Sequence, residues 1–143
     1  MEQNHLSKRE RIEKFGEVFT PQHIVEDMLN LLEANDPDIF SPEKTYLEPA
    51  CGDGVFVCEI LRRKFARCKR RADYTTAISC VYAMEIQEDN VRKTIENVTA
   101  LCREYFQPTK NELTIIEDHV IQADALKVMK MINKWDRRKP NDG

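Results

Sequence analysis

The stretch Thr45-Tyr46-Leu47-Glu48-Pro49-Ala50-Cys51-Gly52-Asp53-Gly54 decides how this chain is read. Thr45–Glu48 is a short strand candidate that runs into a loop with glycines at 52 and 54. Val55–Arg70 follows as a helix, with Val57, Ile60, Leu61 and Phe65 on one side. Strand, glycine loop and helix start, in that order, make a cradle for a ligand. Glycine lets the backbone approach closely, and the free N–H groups of a helix start attract a carboxylate or phosphate.

Downstream, Thr76–Met84 is a nearly continuous apolar and β-branched run, as expected for a buried parallel strand. Glu88–Phe106 reads as a helix carrying Val91, Ile95, Val98, Leu101 and Tyr105 on one face. Leu113–Ile121 is a third strand candidate, interrupted by Glu117, Asp118 and His119, and Leu126–Ile132 is a last short helix. Upstream, residues 6–14 read as a short exposed helix. Thr20-Pro21 marks a helix start, because Thr caps free N–H groups and Pro suits the first helical position. Ile24, Val25, Met28, Leu29, Leu31 and Leu32 give that helix an apolar face, and Asn35-Asp36-Pro37-Asp38 ends it in a turn. The expected organisation is an N-terminal helical segment over residues 1–35, a sheet-bearing unit over 36–132 and a polar tail over 133–143. A helix followed by three strand–helix units argues for an α/β fold with three parallel strands and covering helices.

The chain has 143 residues, enough for one compact domain. With 41% hydrophobic and 33% charged residues the composition is that of a soluble globular protein. No run approaches the roughly 20 apolar residues that cross a bilayer. The polar N-terminus lacks the apolar centre of a signal peptide, so no membrane association and a cytoplasmic setting are expected. The five cysteines (51, 58, 68, 80 and 102) form no Cys-x-x-Cys pair and no His lies at zinc-ligand spacing, so no metal site is expected. The net charge of −3 does not by itself point to nucleic acid. A basic stretch runs through Arg62, Arg63, Lys64, Arg67, Lys69, Arg70 and Arg71. It reads either as a nucleic-acid contact or, more simply, as cations at a helix C-terminus.

Ligands of open parallel sheets bind at the carboxyl ends of the strands. Those ends carry Glu48, Glu85 and Asp124. Three acidic groups there suit a neutral or cationic nucleoside and suit a triphosphate poorly. Each has a plainer reading: a tight turn for the glycines, a solvated strand end for Glu85, a helix cap for Asp124. Cys51 has no nearby His to serve as a base and reads as a small loop residue.

Phe15-Gly16-Glu17-Val18-Phe19-Thr20-Pro21, followed by Leu47 to Gly54, closely resembles the N6-adenine DNA methyltransferases of restriction–modification systems. The resemblance spans about residues 12–127. It implies a partial Rossmann-like class I methyltransferase fold and S-adenosylmethionine as cofactor. By that resemblance Phe19, Thr20 and Pro21 close over the methionine end of the cofactor. Glu48, Pro49, Ala50, Cys51, Gly52, Asp53 and Gly54 hold the methionine moiety. Ala83-Met84-Glu85-Ile86 looks like the family's second motif, with Glu85 on the ribose and Ile86 beside it. Gln122-Ala123-Asp124-Ala125 looks like the third, with Asp124 on the adenine amine and Ala125 beside it.

The family's catalytic motif, Asn/Asp-Pro-Pro-Tyr/Phe on a fourth strand, is not matched, because the sequence contains no Pro-Pro pair. No catalytic residue is therefore expected in this chain, which alone should be inactive, and DNA should be contacted through parts outside it. In the family the first strand lies between the second and the fourth. The strand at Thr45–Glu48 is therefore expected at an unpaired edge, needing a further segment or partner chain. The rival readings are a non-catalytic cofactor-binding subunit of a split methyltransferase, a methyltransferase acting on RNA or protein, and a nicotinamide-dependent oxidoreductase. The last lacks its third glycine, since position 57 is Val.

Overall fold

A computed structural model of the chain describes Ser7 and residues 20–138. The helix expected over residues 6–14 and the Phe19 position lie outside the described residues, apart from Ser7. The elements run α1 (Gln22–Asn35), β1 (Tyr46–Glu48), α2 (Val55–Phe65), α3 (Arg71–Ser79), β2 (Val81–Glu85), α4 (Glu88–Tyr105), α5 (Lys110–His119), β3 (Val120–Gln122) and α6 (Ala125–Arg138). The three strands form one parallel sheet in the order β1-β2-β3. The expected α/β class with three parallel strands and covering helices is thus met, and β1 lies at the edge of the described sheet.

Two expected strands are much shorter than the sequence pattern indicated. The first half of the Thr76–Met84 run is helix: α3 occupies Arg71–Ser79, and the strand begins at Val81 and runs to Glu85. Asp73 decides this, because its carboxylate accepts from the N–H groups of Lys69 and Arg70 and fixes the helix start. Leu113–Ile121 is likewise mostly helix, with strand only at Val120–Gln122. Here Thr109-Lys110-Asn111-Glu112 is a capping box. Thr109 Oγ1 accepts from Glu112 N at 3.1 Å, and Glu112 Oε1 accepts from Thr109 N at 2.9 Å. Helix α2 stops at Phe65 rather than Arg70, and α6 runs past Ile132 to Arg138. Pro21 is the N-cap of α1 and no side chain caps it, so Thr20 does not have the capping role expected of it.

The register puts Tyr46, Val81, Ala83 and Val120 on one face of the sheet and Leu47, Tyr82, Met84 and Ile121 on the other. On the first face Val81, Ala83 and Val120 are buried and join Val57, Ile60, Leu61, Ile78, Val98 and Ile116 from the helices in one core. The second face differs. Leu47 is 56% and Ile121 38% exposed, and Tyr82 and Met84 are only half-buried. Parallel sheets are normally covered on both faces; among the described residues this second face is only partly covered.

The basic stretch is largely engaged within the fold. Lys64 is fully buried, with Nζ donating to the carbonyls of Ser41, Pro42 and Lys44. Arg63 pairs with Glu59 and Glu33, Arg67 with Glu33, and Arg71 with the buried Glu112. Arg62, Arg63 and Lys64 form the last turn of α2, where cations are favoured. The plainer reading holds for these three, whereas Arg70 and Arg71 stand at the N-terminus of α3. Among the described residues no helix is long and apolar enough to cross a membrane.

Candidate ligand site at the strand ends

The loop from Glu48 to Gly54 turns sharply because two of its residues adopt left-handed backbone. Gly52 has φ 54° and Gly54 has φ 94°, a region open to glycine at no steric cost. Gly54 is the N-cap of α2 and supplies no side-chain cap. The first-turn N–H groups of α2 therefore face the loop without a capping side chain. Within the loop, Glu48 Oε1 accepts from Ala50 N at 3.1 Å, and Cys51 N donates back to the Met84 carbonyl of β2 at 2.9 Å. Burial raises the Glu48 carboxyl above the usual carboxylate range. Pro49 and Ala50 are exposed, and Asp53 is half-buried.

Glu85, at the end of β2, is brought directly to the loop. Its carboxylate accepts from Gly52 N through Oε1 at 3.0 Å and from Gln87 N through Oε2 at 2.7 Å. It is 7% exposed. A carboxylate oxygen has two lone pairs, so each keeps capacity for one further donor such as a hydroxyl. The neighbouring Ile86 is 49% exposed, and its carbonyl accepts from Gln122 Nε2.

The end of β3 comes alongside, since Ala123 N donates to the Glu85 carbonyl at 3.1 Å. Asp124 caps α6: its Oδ1 accepts from Leu126 N at 3.0 Å and Lys127 N at 3.4 Å. The plainer reading of Asp124 is thus what the geometry displays, with Oδ2 as the remaining oxygen. Ala125 begins α6 and is half-buried. Thr20 and Pro21 lie at the start of α1. The next residue, Gln22, lines a cleft of about 380 Å³ together with Gly54 and Val55, so this segment reaches the loop side of α2. The rest of that cleft lies between α2 and α4, where Arg62, Asn97 and Glu104 line it.

Cys51 is buried, and burial pushes its thiol up to about 11. A thiol held protonated is a poor nucleophile, in keeping with its reading as a small loop residue. All five cysteines are free, and no metal-binding cluster occurs among the described residues.

Two residues that shape the loop were missed from the sequence. Thr94, fully buried on α4, donates from Oγ1 to the Gly52 carbonyl at 2.9 Å and lies 3.5 Å from Cys51 Sγ. Asn97 Nδ2 donates to the Asp53 carbonyl at 2.9 Å. They sit 42 and 44 residues from the carbonyls they bind, and the available hint was a polar Thr on the inner face of an otherwise regular helix.

Taken together, the three strand ends offer an open helix N-terminus, an oriented carboxylate and a flanking acidic residue. This donor and acceptor set can hold a neutral or cationic nucleoside: the helix start can take an anionic group, and Glu85 can accept from hydroxyls. No protein-family model, curated protein or solved structure matches this chain.

Proposed function

We propose that this chain is the S-adenosylmethionine-binding part of a cytoplasmic DNA methyltransferase acting on adenine N6, of the restriction–modification type, on a partial Rossmann-like fold. The observation that carries the reading is the Glu85 carboxylate bound to the Gly52 N–H at 3.0 Å, which couples a ribose acceptor to the loop assigned to the methionine end. When bound, the cofactor supplies an electrophilic methyl group on a sulfonium. The chain's own residues bind and orient it. Gly52 to Gly54 and the α2 start take the carboxylate end, Glu85 the ribose hydroxyls and Asp124 the adenine amine. Thr20 and Pro21 flank the methionine end.

Transfer to DNA is assigned to further polypeptide that supplies the catalytic motif and the target contacts and covers the β1 edge. The partly exposed sheet face of Leu47, Tyr82, Met84 and Ile121 favours this division of labour. It equally favours the second reading, a cofactor-binding subunit that completes another chain. Mixing the chain with a candidate segment bearing the catalytic motif and assaying methyl transfer separates the two.

Calorimetric titration with S-adenosylmethionine tests the binding assignment. The wild type should bind saturably, and Glu85→Gln and Asp124→Asn should each weaken binding about tenfold, equivalent to about 1.4 kcal/mol. Both variants preserve side-chain shape, so unchanged circular dichroism would show that the loss is not unfolding. Absence of binding by the folded wild type at millimolar cofactor would refute the proposal.

A further inference from the structure

Glu59 is a buried carboxylate that the cofactor assignment leaves without a task. It stands on α2, about one turn beyond the glycine loop. Its carboxylate takes side-chain donors from two helices. Arg62 Nη1 donates to Oε1 at 3.3 Å and Arg63 Nε to Oε2 at 3.1 Å, both from α2 itself. Gln22 Nε2 donates to Oε1 at 3.2 Å from the first position of α1, 37 residues away in sequence. Arg63 extends this brace along α1, with Nη2 on the Glu26 carbonyl at 3.4 Å and Nη1 on Glu33 Oε1 at 3.5 Å. A buried carboxylate needs fixed donors, and α1 supplies one of them.

The burial of α1 shows what the brace does. Val25 and Leu29 are its buried residues, whereas Met28, Leu31 and Leu32 are exposed. Gln22, His23 and Ile24, which open the helix, are exposed too, and Pro21 supplies no side-chain cap. Apolar packing therefore begins at Val25 and does not fix where the chain enters the helix. A hydrogen bond from Gln22 to a carboxylate is directional and charge-assisted, and it does fix that point. Gln22 lines the same cleft as Gly54, Val55 and Cys58, and Thr20 and Pro21 directly precede it. The bond to Glu59 thus sets how near Thr20 and Pro21 stand to the loop and to the start of α2.

We infer that Glu59, acting through Gln22, is a positioning residue for the methionine end of the cofactor site. It touches no ligand and holds Thr20 and Pro21 against the glycine loop. The inference rests on the cofactor reading proposed above and adds a division within it. The amino-acid end of the ligand depends on a bond between α1 and α2. The nucleoside end depends on Glu85 and Asp124, at the ends of β2 and β3, which take no part in the brace.

Calorimetric titration with two ligands tests this division. One is S-adenosylmethionine; the other is 5′-methylthioadenosine, which keeps the adenine and ribose and lacks the amino-acid chain. Gln22→Ala should weaken S-adenosylmethionine binding about tenfold, the worth of one hydrogen bond to a charged group, and leave methylthioadenosine binding unchanged. Glu59→Ala should give the same split. The double variant should bind no more weakly than Glu59→Ala alone, because both changes remove one shared bond. Unchanged methylthioadenosine binding also shows that a variant is folded. Gln22 is exposed, so Gln22→Ala carries the test even where Glu59→Ala disturbs the fold. Equal loss of both ligands in Gln22→Ala would make the bond a prop of the whole fold and overturn the positioning role, as would unchanged affinity for both. A wild type that binds neither ligand would refute the cofactor reading and the positioning role with it.

Discussion

The Gly52 N–H donates to Glu85 Oε1 at 3.0 Å, although the two residues stand on different strand–loop units. This bond ties the end of β2 to the glycine loop after β1. Glu85 therefore serves the loop's shape as well as any ligand. Glu85→Ala should free the Gly52 and Gln87 N–H groups and speed their hydrogen exchange, whereas Glu85→Gln should keep one acceptor and a smaller effect. Equal protection of Gly52 in wild type and Glu85→Ala would show that the bond does not order the loop.

Gly54 has φ 94°, and a Cβ there would meet Thr94 Cγ2 at 3.0 Å. Gly54→Ala should therefore cost about 1–3 kcal/mol in urea unfolding. Adding Thr94→Ser removes the crowding methyl and keeps the hydroxyl, so it should recover part of that loss. The part due to the left-handed backbone should remain. Full recovery would assign the whole cost to crowding.

The Arg71 guanidinium donates two hydrogen bonds to the buried Glu112 carboxylate, at 2.9 and 2.6 Å. Chiefly through this pairing, the Glu112 carboxyl is held down to about 2, against its ordinary 4.5. A carboxyl depressed in the folded state stabilises the fold above its unfolded value and loses that contribution as pH falls. Urea midpoints should therefore decline from about pH 4.5 toward pH 2. Arg71→Gln should destabilise the protein by roughly 1–3 kcal/mol at neutral pH and flatten the decline in that window. An unchanged acid profile in Arg71→Gln would show that other groups set it.

Lys64 Nζ holds three carbonyls of the turn before β1 and lies 5.3 Å from the centre of the Tyr46 ring. Burial draws its ammonium down to about 8, while three acceptors favour the charged form. Lys64→Met keeps the packing but strands the carbonyls. It should lower stability by roughly 1–3 kcal/mol, read by thermal or urea unfolding. A neutral or stabilising result would mean that the turn's carbonyls find water.

The three strand ends and the helices α2 and α4 were legible from the sequence because they rest on local signals: apolar spacing on the helices, glycines at the turn, acids after strands. Helices α3 and α5 were not, and neither were the lengths of β2 and β3. Thr75, Thr76 and Ile78 carry strand-like β-branched side chains, but Asp73 fixes a helix start just before them. Glu112 does the same for the segment after Thr109. A cap that outweighs local propensity was the signal overlooked. Thr94 and Asn97 were invisible for a different reason. Their role depends on a contact between α4 and the loop that no spacing along the chain reveals. The exposed half of α1's apolar face was unreadable because periodicity reports which side is apolar and not what lies against it.

The central claim is that the strand ends of this chain bind S-adenosylmethionine, and backbone amide shifts measured by heteronuclear magnetic resonance test it most directly. On titration, the largest shifts should fall on Gly52, Asp53, Gly54, Glu85, Ile86, Asp124 and Ala125, and saturate together with one affinity. No shifts at millimolar cofactor, or shifts confined to the cleft around Arg62, Asn97 and Glu104, would contradict the account.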